Sequence, residues 1–270
     1  MIDLLTIFND PREDERLGED GLLYCMKCGT PRQKRLTFLG EDHLVRCVCQ
    51  CQAEAARKAE EARRAMELRD RIERYRSIGI TDAALRKATF ENDRYGGPEI
   101  ETAKRYVNQW ETMRRDSLGL LLWGGVGTGK TYLAACIANA LLDKAVPVMM
   151  TSFGRILGGM PGAATGEQNR YIDSFNAYDL LIIDDLGAER NTEFATEQVY
   201  NLIDARYRAQ LPLIVTTNLT VSEMNDPDTL EKKRIYDRIL ERCVPVKVDS
   251  RHIRGERTEQ LRRGAKALLK

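Results

Sequence analysis

Three runs of apolar residues stand out along the chain, and each of them leads into glycine-rich or polar residues. They are "LLLW" (Leu120–Trp123), "LLII" (Leu180–Ile183) and "LPLIVTTN" (Leu211–Asn218). Short apolar runs bounded by polar or glycine-rich segments are typical of strands buried on both faces. The pattern therefore predicts an α/β fold with an open parallel sheet, whose ligands bind beyond the carboxyl ends of the strands.

Segments with helical periodicity lie around these strands. In "RIYDRILERC", Ile235, Ile239 and Cys243 share one face at i, i+4 and i+8, whereas Arg238 lies off that face. The helices predicted on this basis cover Tyr132–Leu142, the stretch from about Ile100 to Arg115, and the segment that ends at Cys243.

A further helix is predicted from Gln52 to about Arg76, where the chain is rich in Ala, Glu and Arg. Charges of both signs occupy most of its positions. The residues that fall at helical spacing on the remaining face are Ala55, Ala59, Ala62 and Met66. Two interpretations stay open: a solvated helix that joins two domains, or a helix that docks on a partner.

Length and composition fit one sizeable domain with an accessory one. The chain has 270 residues, of which 43% are hydrophobic and 31% charged, with a net charge of +1. No apolar run approaches the roughly 20 residues that span a bilayer, so we expect no membrane partner. The N-terminus has an apolar patch but neither a basic start nor a small-residue cleavage site, which predicts a cytoplasmic protein.

The segment after the first apolar run matches the phosphate-binding pattern G-x-x-x-x-G-K-[ST] without a mismatch. Glycines let successive N–H groups point inward, and the start of the following helix adds the positive end of its dipole. We expect Lys130 to reach the β- and γ-phosphates of ATP and Thr131 to ligate Mg²⁺. The residues predicted to bind the nucleotide here are Gly124, Gly125, Val126, Gly127, Thr128, Gly129, Lys130 and Thr131.

Polar residues at the ends of the other two runs complete the predicted ATP site. Asp184 is expected to hold Mg²⁺, and Asp185 to position or deprotonate the attacking water. Many ATPases of this kind have Glu in place of Asp185, and Asp is the shorter side chain. Asn218 is expected to hold the attacking water or sense the γ-phosphate, with a simple strand-end cap as the alternative. Asn92 is expected near the adenine.

Five of the seven cysteines lie between Tyr24 and Glu54. In a chain expected in the cytoplasm, such a cluster favours a metal over disulfides. The Cys-x-x-Cys-Gly knuckle at Cys25 and Cys28, followed by a second cluster, suits tetrahedral Zn²⁺. Two of Cys47, Cys49 and Cys51 would complete the site; we favour Cys49 and Cys51, with Cys47 as the alternative.

Three other residues of this kind receive no ligand role. His43 is expected to be solvated. Cys136 and Cys243 are expected to be buried thiols.

Taken in order, the motifs resemble the AAA+ ATPases of the DnaC/IstB type, most closely the DnaC-like replicative helicase loaders of bacteria and phages. The resemblance covers roughly Ile80 to Arg254. It rests on "TFEND", "GGVGTGKTYLAAC", "SFGRIL", "LLIIDDLGAE", "EQVYNLIDARY", "LIVTTNL" and "RIYDRILERC". It implies an AAA+ P-loop core whose parallel sheet is flanked by helices, with a reduced C-terminal lid, because 22 residues follow Val248.

The resemblance also implies roles for arginines and for the cysteine-rich segment. Arg238 matches the arginine finger that acts on a neighbouring molecule. Arg251 matches the second sensor arginine, although "DSRHIR" departs from the usual spacing and Arg254 remains an alternative. Loaders of this type often carry an N-terminal zinc-binding module that engages the replicative helicase, which agrees with the segment Cys25–Cys51.

The implied function is a helicase loader that assembles as a homo-oligomer with ATP, grips single-stranded DNA and holds the replicative DNA helicase. The tail Arg251–Lys270 has seven Lys/Arg and two Glu, which suits a phosphate contact or plain solvation. Two alternatives are an IstB-like transposition helper and an adaptor that binds ATP without hydrolysing it. The predicted division is a zinc-binding module (1–54), a charged helical linker (55–78), an AAA+ domain (79–254) and a basic tail (255–270).

Overall fold

The computed structural model describes residues 11–38, 40–92, 96–160, 162, 165–187 and 192–249. The chain divides into two compact units, residues 1–69 and 70–270, which we describe separately. Predicted sites at Arg251 and Arg254, the proposed lid and the basic tail lie outside the described residues. The finer division of the chain into four segments stays a prediction.

The first unit is built from two antiparallel hairpins followed by the start of a long helix. In the second hairpin the register pairs Gln33 with Arg46 and Phe38 with Glu41. The helix begins in this unit and ends in the next, and it confirms the helix predicted from Gln52 to about Arg76. The elements are β1 (Glu15–Leu17), β2 (Leu23–Cys25), β3 (Gln33–Phe38), β4 (Glu41–Arg46) and α1 (Gln50–Gly79).

The second unit alternates helices and strands. Its elements are α2 (Pro98–Asn108), α3 (Trp110–Arg115), β5 (Gly119–Trp123), α4 (Lys130–Asp143), β6 (Val148–Ser152), α5 (Phe153–Gly158), α6 (Thr165–Ser174), β7 (Leu180–Leu186), α7 (Glu193–Arg208), β8 (Leu213–Thr217), α8 (Val221–Asn225), α9 (Leu230–Arg242) and β9 (Cys243–Lys247), with 3₁₀ turns at Leu85–Lys87 and Phe175–Ala177.

A parallel sheet of five strands forms the centre of the second unit, in the order β6-β7-β8-β5-β9. The three predicted strands are confirmed as β5, β7 and β8, which are neighbours. The outer strands β6 and β9 were not predicted. This α/β architecture confirms the predicted fold class.

Alternating side chains of the strands point to two hydrophobic layers. Leu120 and Leu122 of β5 pack with residues of α2, α3 and α4 on one face. Leu121 packs on the other face with residues of α5, α6, α7, α8 and α9. Both faces of the sheet are therefore covered by helices, which explains why its strands are continuously apolar.

Two predicted helices end differently from the expectation. The stretch from Ile100 to Arg115 forms two helices, α2 and α3, which meet at Gln109 in a non-helical conformation (φ −99°, ψ 21°). Ile235 and Ile239 are buried on one face of α9 as predicted, but the helix stops at Arg242. Cys243 instead begins β9, where it pairs with Gly119 of β5.

Helix α7 is fixed to the sheet by a buried arginine. The Arg206 side chain is 1% exposed and donates hydrogen bonds to the backbone carbonyls of Phe175, Tyr178, Asp179 and Pro212. Burial lowers the pKa of Arg206 to about 9, which still leaves the guanidinium charged at neutral pH. The guanidinium donates to carbonyl groups that precede β7 and β8, and these hydrogen bonds hold α7 in a defined position.

Within the described part of the chain, no helix combines the length and the apolar character that crossing a membrane requires.

Candidate nucleotide-binding site and cysteine cluster

The loop between β5 and α4 has a backbone that only glycine accommodates easily. Gly124 has φ +151°, and a Cβ atom there would lie 2.3 Å from the carbonyl oxygen of Val248. Gly129 precedes the first residue of α4 with φ +97°, a left-handed conformation that L side chains disfavour. These glycines bring the loop close to β9 and turn it directly into the helix, as an anion-binding loop requires.

Lys130 links this loop to the end of β8. Its Nζ donates to the carbonyl oxygens of Gly124 (2.9 Å) and Gly125 (2.7 Å) and to Oδ1 of Asn218 (2.8 Å). The lysine residue is 5% exposed. The ammonium group and the Asn218 amide therefore meet at the carboxyl edge of the sheet, where strand-end residues were expected to gather.

Thr131 and Asp184 form the second half of the site. The Thr131 hydroxyl lies 2.9 Å from Oδ1 of Asp184, and the Thr216 hydroxyl donates to the same oxygen at 2.6 Å. Burial raises the pKa of Asp184, while the two hydroxyls and Lys130 act in the opposite direction. A hydroxyl and a carboxylate in contact at the end of a P-loop are oxygen ligands of the kind that Mg²⁺ takes. The residues thus fit the metal that the sequence predicts.

Asp185 is set apart from Asp184 by an irregularity in β7. The pairing of β7 with β8 shifts register between Ile183 and Leu186, and Asp185 has φ +59°. Its backbone N–H donates to the Thr216 hydroxyl at 2.9 Å. Bulges of this type commonly redirect a side chain next to an active site. The side chain of Asp185 is exposed and lines a cavity of about 260 Å³ together with Thr131 and Asp184.

Asn92 lies in an exposed turn before α2. Its side-chain amide donates weakly to the carbonyl oxygen of Lys87 (3.4 Å), and its backbone N–H donates to the Thr89 hydroxyl (3.2 Å). The preceding 3₁₀ turn is tied to α4 because Asn139 donates to the carbonyl oxygens of Leu85 and Ala88. The adenine role of Asn92 stays a prediction.

Arg238 lies on α9 and pairs with a residue of another helix. Its Nη2 lies 2.7 Å from Oδ1 of Asp204 on α7. If Arg238 were only a surface arginine, we would expect it to pair with Asp237 or Glu241 on its own helix. Instead, Asp237 pairs with Lys233, and the Tyr207 hydroxyl donates to Glu241.

The cysteine cluster of the first unit brings together four sulfur atoms that all lie within 4.8 Å of one another: Cys25, Cys28, Cys49 and Cys51. Cys51 lies 3.6 Å from Cys25 and 3.4 Å from Cys49. Around zinc, with bonds of about 2.3 Å, tetrahedral sulfur atoms lie about 3.8 Å apart. The cluster therefore fits zinc closely, with the favoured four cysteines. Cys47 is outside it and contacts the carbonyl oxygen of Pro31 at 3.5 Å.

Polar neighbours support the thiolate form of part of this cluster. The Thr30 hydroxyl, 3.1 Å from the Cys28 sulfur, is the main reason why the pKa of Cys28 falls to about 5. Arg32 donates to the Cys25 sulfur at 3.6 Å. Hydrogen bonding with the Cys49 sulfur raises the pKa of Cys51 to about 12, because such a bond favours the protonated thiol. A divalent cation bound to the sulfurs would favour the thiolate instead.

The remaining predictions for histidine and cysteine are met. His43 is exposed on β4. Cys136 and Cys243 are buried thiols, 1% and 2% exposed.

Comparison with protein families supports the nucleotide site. The profile described as IstB-like ATP binding protein matches residues 60–260. The chain belongs to this family. The match extends from the middle of α1 past the last strand of the sheet, so it contains the whole P-loop core and confirms the resemblance drawn from the motifs.

Curated relatives of this IstB-like protein include two proteins named replicative helicase loaders. DnaI of Bacillus subtilis (strain 168) is 28% identical over an alignment of 149 residues, and the match covers 50% of this chain and 47% of DnaI. DnaC of Escherichia coli (strain K12) is 27% identical over 144 residues, which are 52% of this chain and 56% of DnaC. The chain thus spans about half the length of the curated relatives it matches.

Solved structures agree on the fold. A crystal structure of DnaI covers 63% of this chain and 95% of its own, with a TM-score of 0.52 at 22% identity. A crystal structure of the DnaC helicase loader covers 62% of this chain and 99% of its own, with a TM-score of 0.50 at 19% identity. The second unit of the IstB-like protein therefore shares its fold with these two structures.

The sequence analysis missed Thr216 and Thr217, which are both fully buried at the end of β8. Thr216 contacts both acidic residues of β7, and the Thr217 hydroxyl donates to the carbonyl oxygen of Leu186 at 2.7 Å. The signal was available in "LIVTTN", because two hydroxyls at the end of a buried strand need partners.

Proposed function

We propose that this IstB-like protein is an ATP-hydrolysing helicase loader. The observation that carries the proposal is the contact of Lys130 with Asn218, beside the contact of Thr131 with Asp184, at one edge of the sheet. The helicase-loading part of the proposal comes from the relatives DnaI and DnaC, which are named replicative helicase loaders. In this view ATP binding is the step that prepares the protein for its partner.

Each residue of the site has a distinct task. Lys130 would exchange its contacts with the loop carbonyls for the β- and γ-phosphates of ATP. Thr131 and Asp184 would hold Mg²⁺, which supplies charge neutralisation between the phosphates. Asp185, on its bulge, would orient the attacking water and accept its proton, and Asn218 would contact the γ-phosphate side.

Hydrolysis would be completed by a second copy of the chain. Arg238 is the proposed finger, because a guanidinium stays charged and bridges two phosphate oxygens. Such fingers contribute about 10³–10⁵ in rate where they have been measured. A homo-oligomer formed on ATP and single-stranded DNA is part of the same proposal, as is a sensor role for Arg251 or Arg254.

The cysteine cluster is proposed to hold one structural Zn²⁺ through Cys25, Cys28, Cys49 and Cys51. Zinc with four thiolates has no open position for chemistry, so it would shape the first unit instead of reacting. We propose that this zinc-stabilised unit contacts the replicative helicase.

A second candidate function is suggested by the family description itself, which names IstB. An IstB-like transposition helper would use the same ATP site but would act with a transposase. The experiment that separates the two is a pull-down with the full chain as bait, with Mg²⁺ and ATP, against purified replicative helicase and purified transposase.

We expect the helicase to be retained and the transposase to be lost. Lys130→Ala protein is the control. If retention of the helicase depends on bound ATP, this variant should retain less helicase than the wild type. Retention of the transposase alone would contradict the loader proposal in favour of the second candidate.

A further inference from the structure

The finger candidate Arg238 is held by three side chains of α7, Asp204, Tyr200 and Tyr207, which we call the cage. Nη2 of Arg238 contacts Oδ1 of Asp204 at 2.7 Å and donates to the Tyr200 hydroxyl at 3.1 Å. The guanidinium carbon lies 4.7 Å from the ring centre of Tyr200 and 5.7 Å from that of Tyr207. A cation at these distances from an aromatic ring is attracted to the ring.

Asp204 is suited to be the main anchor of this cage. Its side chain is only 10% exposed, whereas that of Arg238 is 24% exposed. Asp204 also pairs with Arg208 one turn further along α7. Arg206, between these two residues, fixes α7 to carbonyls before β7 and β8. The carboxylate is therefore mounted on a rigid support.

The cage leaves part of the guanidinium accessible. Among its contacts in the described residues, Nη2 serves Asp204 and Tyr200, and Nη1 makes a long bond of 3.4 Å to the carbonyl oxygen of Arg234. A guanidinium has five N–H donors in a fixed fork. Donors on the Nη1 side thus stay available for a phosphate while the Nη2 side is anchored.

We propose that Asp204 is a positioning residue for Arg238, which it holds in the orientation that a neighbouring copy's γ-phosphate requires. The inference rests on the proposed finger role of Arg238. A flexible arginine loses rotamer freedom when it is fixed, and Asp204 imposes this order before the copies meet. Asp204 does not touch the nucleotide itself.

Mixtures of two inactive variants test the proposal. In a mixture of Lys130→Ala and Arg238→Ala protein, ATP is hydrolysed only where the intact Arg238 of the first chain meets the intact P-loop of the second. Asp204→Asn is then added either to the Lys130→Ala chain, which donates the arginine, or to the Arg238→Ala chain, which holds ATP. The second placement is the matched control, because the same substitution is present in the same oligomer.

We expect Asp204→Asn in the donor chain to lower the turnover of the mixture by about 10- to 100-fold, as a misplacement of about 1 Å can. In the ATP-holding chain it should change turnover less than twofold, and ATP affinity should be unchanged in both. Should Asp204→Asn fail to fold, Tyr200→Phe replaces it, because it removes only the hydroxyl that accepts from Arg238. The same asymmetry is expected, with a smaller loss.

Equal losses in the two placements would mean a structural role and would overturn the proposal. Unchanged or higher turnover with the donor-chain variant would overturn it as well, since Asp204 would then be neutral or would restrain Arg238. If the starting mixture of Lys130→Ala and Arg238→Ala is inactive although both associate, the finger role itself fails and the inference falls with it.

Discussion

The substitution Thr216→Val tests how much the buried hydrogen bonds beneath Asp184 and Asp185 stabilise the nucleotide site. Thr216 is fully buried, donates to Asp184 at 2.6 Å and accepts from the backbone N–H of Asp185 at 2.9 Å. Valine fills the same volume but makes neither bond. The buried carboxylate would lose one of its donors, and the N–H group on the bulge would lose its acceptor.

The magnitude follows from these two bonds. A hydrogen bond to a charged group contributes about 1.5–3 kcal/mol, and a buried donor left without an acceptor costs about 1–3 kcal/mol. Thr131 still contacts Asp184, and the Asp185 side chain is exposed, so water can reach this region. We therefore expect a loss near the lower end, about 2–4 kcal/mol. For a unit of this size that lowers the Tm by about 5–15 °C.

Scanning calorimetry of the full chain is the assay. The transition of the ATPase unit is identified by its upward shift with ATP and Mg²⁺. Thr216→Ser is the control: it keeps the hydroxyl, loses one methyl group and should cost only about 1 kcal/mol. If Thr216→Val protein has the Tm of the wild type, the role given to the hydroxyl is refuted. It is also refuted if Thr216→Ser lowers the Tm as much as Thr216→Val does.

Three further predictions concern lysine and cysteine residues. Lys130→Ala should abolish ATP binding in a folded protein, measured by titration with fluorescent ATP; near-normal affinity would contradict the site. Cys25→Ser with Cys28→Ser should release one Zn²⁺ per chain, measured by metal analysis under reductant, and less than half an equivalent in the wild type would count against zinc. Burial raises the pKa of Cys243 to about 12, well above the ordinary thiol value of 9.0. As pH rises, the thiol of the unfolded chain ionises before that of the folded chain, so the free energy of unfolding should fall between about pH 9 and 12. Urea titrations over that range measure this fall. An equal fall in Cys243→Ala protein would contradict the assignment to Cys243.

The central features of the fold could be predicted because they follow from local patterns. The runs at Leu120–Trp123 and Leu180–Ile183 are apolar because helices cover both faces of the sheet. The edge strands β6 and β9 carry exposed or half-buried residues, as in Val148–Ser152 and Cys243–Lys247. Because only some of their positions are buried, their own sequence is harder to distinguish from that of connecting segments.

The candidate site shows the same difference between local and long-range information. The P-loop lysine and the two acids near the end of β7 are recognisable because their chemistry is encoded within a few residues. Asp204 and Thr216 contact residues that lie 34 and 32 positions away in the chain, Arg238 and Asp184. Only the packing of α7 on α9, and of β8 on β7, brings those groups together.

The measurement that tests the central claim most directly is steady-state ATP turnover by the full chain with Mg²⁺, with and without single-stranded DNA. Asp184→Asn and Lys130→Ala proteins serve as the background, because both lack a group that the site needs. We predict turnover above that background which increases when DNA is added. Turnover by the wild type that does not exceed Lys130→Ala, with ATP bound and zinc retained, would contradict hydrolysis and leave a nucleotide-binding adaptor.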